Sequence, residues 1–301
     1  MLKIAVVGSS NTDMVVRVPH MPVPGETVLG GEFVMASGGK GANQAVAAAR
    51  LGAEVTLVAR VGADVFGERA LAGFQQEGII TRHVTVDREA ASGVALIFVD
   101  SAGENSIGVA PGANACLSPD DVQEARGAIE EGDVLLLQLE VPVETVLAAA
   151  KVAHQAGVRV ILNPAPAPPN LLPTELLELV DIITPNESEA ALLTGTQGST
   201  EPAARRLTEQ GAGAVIVTLG ARGALIVTLD TQELVPAFSV NAVDTTAAGD
   251  AFNGGLAVAL AQGRRLVEAV RFANACGALA TTRLGAQPSL PTIGEVEAFL
   301  G

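Results

Sequence analysis

Apolar residues fall in short unbroken runs, and longer amphipathic or alanine-rich stretches separate them through most of the chain. Six runs predict buried strands: KIAVVG (3–8), EVTLVARVG (54–62), DVLLLQLE (133–140), VRVILNPA (158–165), VDIITPNE (180–187) and AVIVTLG (214–220). Four stretches predict helices: GANQAVAAARLG (41–52), SPDDVQEARGAIEEG (118–132), VETVLAAAKVAHQAG (143–157) and EPAARRLTEQG (201–211). Several open at Ser, Asp or Pro and close at Gly, which suit the unpaired backbone groups of helix ends. A strand that is apolar on both faces needs cover on both. The alternation therefore predicts a mainly parallel central sheet between helical layers, an α/β three-layer sandwich.

Two regions break this rhythm. Residues 12–36 carry two short strand patterns and Pro-Gly turns with no helix between them, and residues 83–110 carry HVTVD, GVALIFVD and NSIGVA. Both read as antiparallel strands inserted into a single α/β domain of residues 1–301. Placed over the carboxyl ends of the main strands, where open α/β sheets bind ligands, such strands would form a small β-sheet lid.

Composition narrows the partners. Of the 301 residues, 49% are hydrophobic and 17% charged, with a formal net charge of −15. That balance suits a folded domain and disfavours nucleic acid or an anionic membrane as partner, since both select basic surfaces. A phosphate ligand stays open, because a helix N-terminus can hold one on an acidic protein. Cys116 and Cys276 lack metal-ligand spacing and read as free, buried thiols of a reducing compartment. The opening MLKIAVVG reads as a strand rather than a secretory leader, and no apolar run reaches membrane-spanning length. The expected location is cytoplasmic.

Three stretches carry candidate chemistry. In DTTAAGDAFNGG (244–255), Asp244 and Asp250 flank tiny residues at the start of a helix. Exposed N–H groups near Ala247, Ala248 and Gly249 could receive an oxyanion, and Asp250 could accept a proton from a hydroxyl. An ordinary capping Asp would look the same. In SGGKGANQ (37–44), glycines surround Lys40, one of three lysines in the chain, and Asn43 follows. The spacing excludes a Walker A loop, and a plain Gly-rich connection is the alternative. In GSSNTD (8–13), Asn11 and Asp13 stand two apart, spaced to grip adjacent sugar hydroxyls or to form a polar turn. Glu140, Glu189 and Arg222 follow predicted strands, where a Mg²⁺ ion or phosphates could be met. The three histidines share no spacing, and no nucleophile elbow supports hydrolysis.

Taken together and in this order, the segments resemble the ribokinase (phosphofructokinase-B) family of sugar kinases along essentially the whole chain. GGKGAN (38–43) and DTTAAGDAFNG (244–254) look like its two signatures. QLE (138–140) and GAQPS (285–289) are nearer to its ribose-phosphorylating members than to its fructose, adenosine or tagatose-phosphate kinases. The resemblance implies ATP-dependent phosphorylation of D-ribose at O5. It makes Asp250 the base, with Ala247, Ala248 and Gly249 as the anion hole. Asn11, Asp13, Gly39, Lys40, Asn43 and Glu140 match sugar-binding positions. Asn186, Thr218, Gly220, Ala221, Arg222, Gly223 and Gly249 match nucleotide-binding positions, with Asn274, where His is common, near the adenine. Glu189 matches an Mg²⁺-linked position. Asp244, Thr246, Ala280, Arg283, Gly285 and Ser289 match a site for an activating K⁺. A homodimer joined through the lids is expected, because paired sheet edges are protected edges. Another pentose, 2-deoxyribose or a nucleoside as substrate, and a non-catalytic binding protein, are the alternatives.

Overall fold

Successive residues of the first strand, KIAVV, go to opposite layers. Ile4 and Val6 enter one buried apolar cluster, Ala5 and Val7 another. The whole central sheet repeats this division. The computed structural model describes residues 1–168, 170–196 and 200–301. Its strands are β1 (Lys3–Val7), β2 (Asn11–Arg17), β3 (Phe33–Gly38), β4 (Glu54–Gly62), β5 (Ile80–Asp87), β6 (Gly93–Val99) and β7 (Asn105–Ala110). They continue with β8 (Val134–Leu137), β9 (Arg159–Leu162), β10 (Ile182–Ile183), β11 (Ala214–Thr218), β12 (Ala224–Val227) and β13 (Gln232–Val235).

The main sheet has the order β13-β12-β11-β10-β9-β8-β1-β4-β5. Pairing is parallel from β11 to β5, and the hairpin β12–β13 adds an antiparallel edge. The helices Lys40–Arg50, Val65–Gln76, Ala248–Ala261 and Leu266–Ala280 cover the Ile4/Val6 face. The helices Pro119–Glu124, Arg126–Glu130, Val143–Ala156, Thr174–Glu178 and Thr200–Glu209 cover the other. The expected three-layer arrangement is what forms. The hairpin β12–β13 and the helices Val65–Gln76 and Leu266–Ala280 are additions to the elements read from the pattern.

The small sheet has the order β3-β2-β6-β7. It differs from expectation in two ways. β2 and β6 run parallel, so the sheet is mixed. HVTVD, expected in the lid, belongs to β5 and pairs parallel with β4 in the main sheet. The reason is the helix Val65–Gln76, which supplies the crossover that parallel neighbours require and lets Ile79 and Val84 join the core. The thiols also differ from each other: Cys276 is buried, while Cys116, ending a short turn, is exposed. No helix among the described residues is long and apolar enough to cross a membrane.

The small-residue helix Ala248–Ala261 is wedged between Lys40–Arg50 and Leu266–Ala280. A Cβ on Gly254 would lie 2.6 Å from the Ala47 Cβ, so the close crossing itself demands the small residues of DAFNGG. That crossing carries Asp250 against the residues that follow Lys40.

Candidate active site

The parallel strands all end on one side, and the polar residues that follow them gather there. After β1, Gly8–Ser10 lead into β2, which presents Asn11 and Asp13 two residues apart on one face. Asn114 fixes the first of these: its Nδ2 donates to Asn11 Oδ1 at 2.7 Å, and its Oδ1 accepts from the Ser10 amide at 2.9 Å. Asp13 has no such support. Burial pushes its carboxyl up to about 6, with Glu140 and Asp250 adding to the rise and Lys40 opposing it.

Gly39 precedes the helix Lys40–Arg50 at φ 90°, a left-handed backbone that glycine tolerates. A Cβ there would sit 2.6 Å from the Asn11 nitrogen, so the turn presses GGKGAN against the segment that carries Asn11. Glu140 Oε2 accepts from the Lys40 amide at 2.9 Å and from Ser9 Oγ at 2.5 Å. Burial alone would lower the Lys40 ammonium. Asp250, Glu140, Glu189 and Asp13 outweigh it and hold the group above its ordinary value, so Lys40 is a cation among four carboxylates.

Asp250 lies in the first turn of the helix Ala248–Ala261 and is 7% exposed. Its Oδ2 accepts from Asn43 Nδ2 at 2.9 Å and its Oδ1 from Gln44 Nε2 at 3.1 Å. Burial raises its carboxyl above the usual range, against the pull of Lys40, Asn43 and Gln44. Such a group is a stronger base than a solvated Asp while its partners keep the anion attainable. Ala247 caps the helix at φ 58°, alone among the described non-glycine residues in having positive φ. The Ala248 amide donates to the Thr245 carbonyl at 3.3 Å. The Ala247, Gly249 and Asp250 amides have no acceptor among the described residues, so within the Ala247–Gly249 triplet only the Ala248 amide is engaged.

A cavity of about 230 Å³ joins these groups to the nucleotide-type positions. Lys40, Asn186, Glu189, Thr218, Ala247, Gly249 and Asp250 all line it. Asn186 caps the helix Glu187–Thr194: its side chain accepts from the Glu189 amide at 2.8 Å, and Glu189 Oε2 accepts from the Asn186 amide at 2.9 Å. Burial raises the Glu189 carboxyl, with the capping bond and Lys40 acting against it. Thr218 ends β11, and Gly220, Ala221 and Arg222 form the tight turn after it, closed by Gly223. Arg222 is exposed and paired with Glu187. Asn274 is buried and donates to the Val235 and Pro236 carbonyls at 3.0 and 3.2 Å. Its amide nitrogen therefore braces the end of β13, and only its oxygen is left for a ligand.

Of the K⁺-type positions, Asp244, Thr246 and Gly285 are joined by hydrogen bonds just before the same helix. Asp244 Oδ1 accepts from the Thr246 amide at 2.9 Å, and Oδ2 accepts from the Gly285 amide at 2.8 Å. Burial would raise this carboxyl, but the Thr246 hydroxyl, which donates to Oδ1 at 2.6 Å, together with those amides holds it below its ordinary value. Ala280 and Ser289 are buried, while the Arg283 side chain turns outward to Glu295. Arg50, ending the helix that begins at Lys40, pairs with Glu77 and donates to the Gln287 and Leu290 carbonyls at 2.7 and 2.9 Å.

Several polar residues at the site have no role in the motif reading: Gln44, Asn114, Gln138, Asn163, Thr184 and Asn253. All are buried. Gln44 directly follows GGKGAN, and the others sit in or beside GANA, QLE, NPAPA, DIITPNE and DAFNG. A carboxamide predicted to be interior was the available signal, since a buried one requires partners.

Comparison with known proteins identifies the family. Residues 1–293 match the pfkB family carbohydrate kinase profile. The ribokinase of Haemophilus influenzae is 45% identical over 301 residues, covering 99% of this chain and 98% of the relative. The deoxyribokinase of Salmonella typhi is 40% identical over 303 residues, covering 99% of each. The structure of Arabidopsis thaliana ribokinase complexed with ribose and ATP superposes with a TM-score of 0.90 at 32% identity, covering 100% of this chain and 99% of that one. Shared sequence along almost the full length, and a shared fold around the Asp250 cavity, show that the chain belongs to the pfkB family of carbohydrate kinases.

Proposed function

We propose that the chain transfers the γ-phosphoryl group of ATP to O5 of D-ribose, giving D-ribose 5-phosphate and ADP. The observation that carries this reading is a buried carboxylate, Asp250, beside amides with no acceptor among the described residues, in a cavity that also holds Lys40, Asn186 and Thr218. Likeness to the Haemophilus enzyme, and to a plant relative whose structure holds ribose and ATP, supports it. Asn11, Asp13, Gly39, Lys40, Asn43 and Glu140 bind the sugar hydroxyls. Asp250 takes the O5 proton as the hydroxyl attacks. The Gly249 and Asp250 amides, aided by the positive end of their helix, meet the charge on the migrating phosphoryl oxygens. Asn186, Thr218, Gly220, Ala221, Arg222 and Gly223 hold the nucleotide, with the Asn274 oxygen beneath it. The small sheet closes over the cleft as a lid and excludes water that would hydrolyse ATP.

Two ions fit the residues present. Glu189 keeps one carboxylate oxygen outside its capping bond at the cavity wall, and burial already disfavours its charge. It would hold Mg²⁺, directly or through water, and bound Mg²⁺ would offset phosphate charge. The carbonyls of Thr246, Arg283 and Gly285 accept no hydrogen bond among the described residues. With Asp244, Ala280 and Ser289 they form an all-oxygen donor set that would hold K⁺ and fix the loop entering the anion hole.

Replacement of Asp250 by Asn tests the assignment. Turnover should fall at least about 10²-fold, the scale of a positioned base, in an ADP-coupled assay. Near-normal turnover would reject Asp250 as the base, and a parent chain with no turnover at all would fit a binding protein instead. The Salmonella relative favours 2-deoxyribose as a second reading; kcat/KM for ribose, 2-deoxyribose and nucleosides decides between them. The face of the small sheet opposite Asp13 bears exposed Phe33, Leu96 and Phe98, and the sheet's edges β3 and β7 are open. A cytoplasmic homodimer joined through these sheets would cover both. A monomer by light scattering at micromolar concentration refutes it.

A further inference from the structure

The charged groups around Asp250 have roles in the reaction above; the uncharged carboxamides behind it do not. Gln44 and Gln138 are both fully buried, the first on the helix Lys40–Arg50 and the second just after β8. Gln138 Nε2 donates to Gln44 Oε1 at 2.6 Å. Gln44 Nε2 donates to Asp250 Oδ1 and to Asn163 Oδ1, each at 3.1 Å. Asn163 Nδ2 donates to the Thr184 carbonyl at 3.0 Å. Thr184 Oγ1 donates to Asn253 Oδ1 at 2.6 Å, and Asn253 Nδ2 donates to the Gly249 carbonyl at 2.8 Å.

The direction of this chain is forced. The Thr184 carbonyl can only accept, so Asn163 turns its nitrogen there and its oxygen toward Gln44. Gln44 must then present its NH₂ group to Asn163, and the same group reaches Asp250. Its oxygen is left facing Gln138, which must donate. Gln138 Oε1 ends buried with no partner among the described residues. An orphaned buried acceptor is destabilising, so stability alone does not account for the arrangement. What it secures is a donor aimed at Asp250.

We propose that Gln138 and Gln44 form a carboxamide relay that fixes the plane of the Asp250 carboxylate and keeps a lone pair directed into the cavity. Gln44 and Gln138 are positioning residues: neither touches the reacting atoms, and Gln138 acts only through Gln44. The inference rests on Asp250 being the base. Lys40, Glu140, Asp13 and Glu189 also act on this carboxylate through their charges, and all stay in place in the variants that follow.

Gln44→Met and Gln138→Met keep the core volume and remove the donors. Two readouts are used: kcat against pH with ribose and ATP, and the ¹³C titration of the Asp250 carboxyl carbon, assigned by its loss in Asp250→Asn. In Gln44→Met the acidic limb and the carboxyl titration should both move to higher pH by about one pH unit, a tenfold gain in proton affinity. KM for ribose should stay within about twofold, because only the transition state loses an interaction. Gln138→Met should give a smaller move in the same direction, and none at all when added to Gln44→Met. If either methionine variant fails to fold, Gln44→Asn, which withdraws the amide by one methylene, should shift the same two readouts. Unmoved titrations overturn the relay, as do additive shifts or a raised KM with an unmoved limb. A shifted carboxyl titration in a chain inactive on ribose would uphold the relay and overturn the sugar assignment.

Discussion

Replacing Asp13 by Asn should make the folded chain more stable at alkaline pH while impairing it as a kinase. In the folded chain Asp13 keeps its proton up to about pH 6, because it is half-buried near Glu140 and Asp250, against an ordinary value of 3.8. The folded state therefore binds more protons than the unfolded state between those values. Stability contributed by this residue falls as pH rises through that window and stays low above it. At about 1.36 kcal/mol per pH unit, the full effect is about 3 kcal/mol. Asn carries no charge and escapes that loss, and its amide fits the same space. Urea unfolding should show Asp13→Asn ahead of the parent by about 1–3 kcal/mol at pH 8, shrinking toward zero near pH 4. KM for ribose should rise at the same time, since a carboxylate acceptor for sugar hydroxyls is gone. A variant no more stable at pH 8, or one whose advantage is equal at both pH values, would refute the electrostatic reading of Asp13.

Two further outcomes follow from geometry. Gly39→Ala should destabilise the chain by at least about 2 kcal/mol, read from the thermal midpoint, because the residue is left-handed and its Cβ would strike the Asn11 nitrogen. Exchanging K⁺ for choline at constant ionic strength should lower kcat more than it raises KM for ATP; identical kinetics in the two salts would remove the cation site at Asp244 and Gly285.

Much of the fold was legible because buried parallel strands leave an unmistakable trace. LLL in β8 and VIL in β9 have no polar face to misplace. β5 was harder: HVTVD alternates like a half-exposed strand, and its pairing depends on a helix, Val65–Gln76, whose own pattern is weak. The hairpin β12–β13 was hidden for a related reason, since QELV carries only one buried residue. At the site, Asp250, Lys40, Asn43 and Glu140 could be selected because charge and Gly-rich spacing mark them. Gln44, Asn163 and Asn253 could not, because a carboxamide looks alike in a solvated turn and in a sealed network until its partners, more than 65 residues away in several cases, are placed beside it.

Arg50 gives the molecule a mechanical property that neither signature segment has by itself. One guanidinium clamps the tail of the sugar-side helix to the carbonyls of the Gln287–Leu290 bend and, through Glu77, to the neighbouring helix. A helix is stiff along its axis, so a nudge at Lys40 is delivered ten residues later to that bend. The turn at Gly39 and the Gln287–Leu290 bend thus hang on opposite ends of one rigid rod.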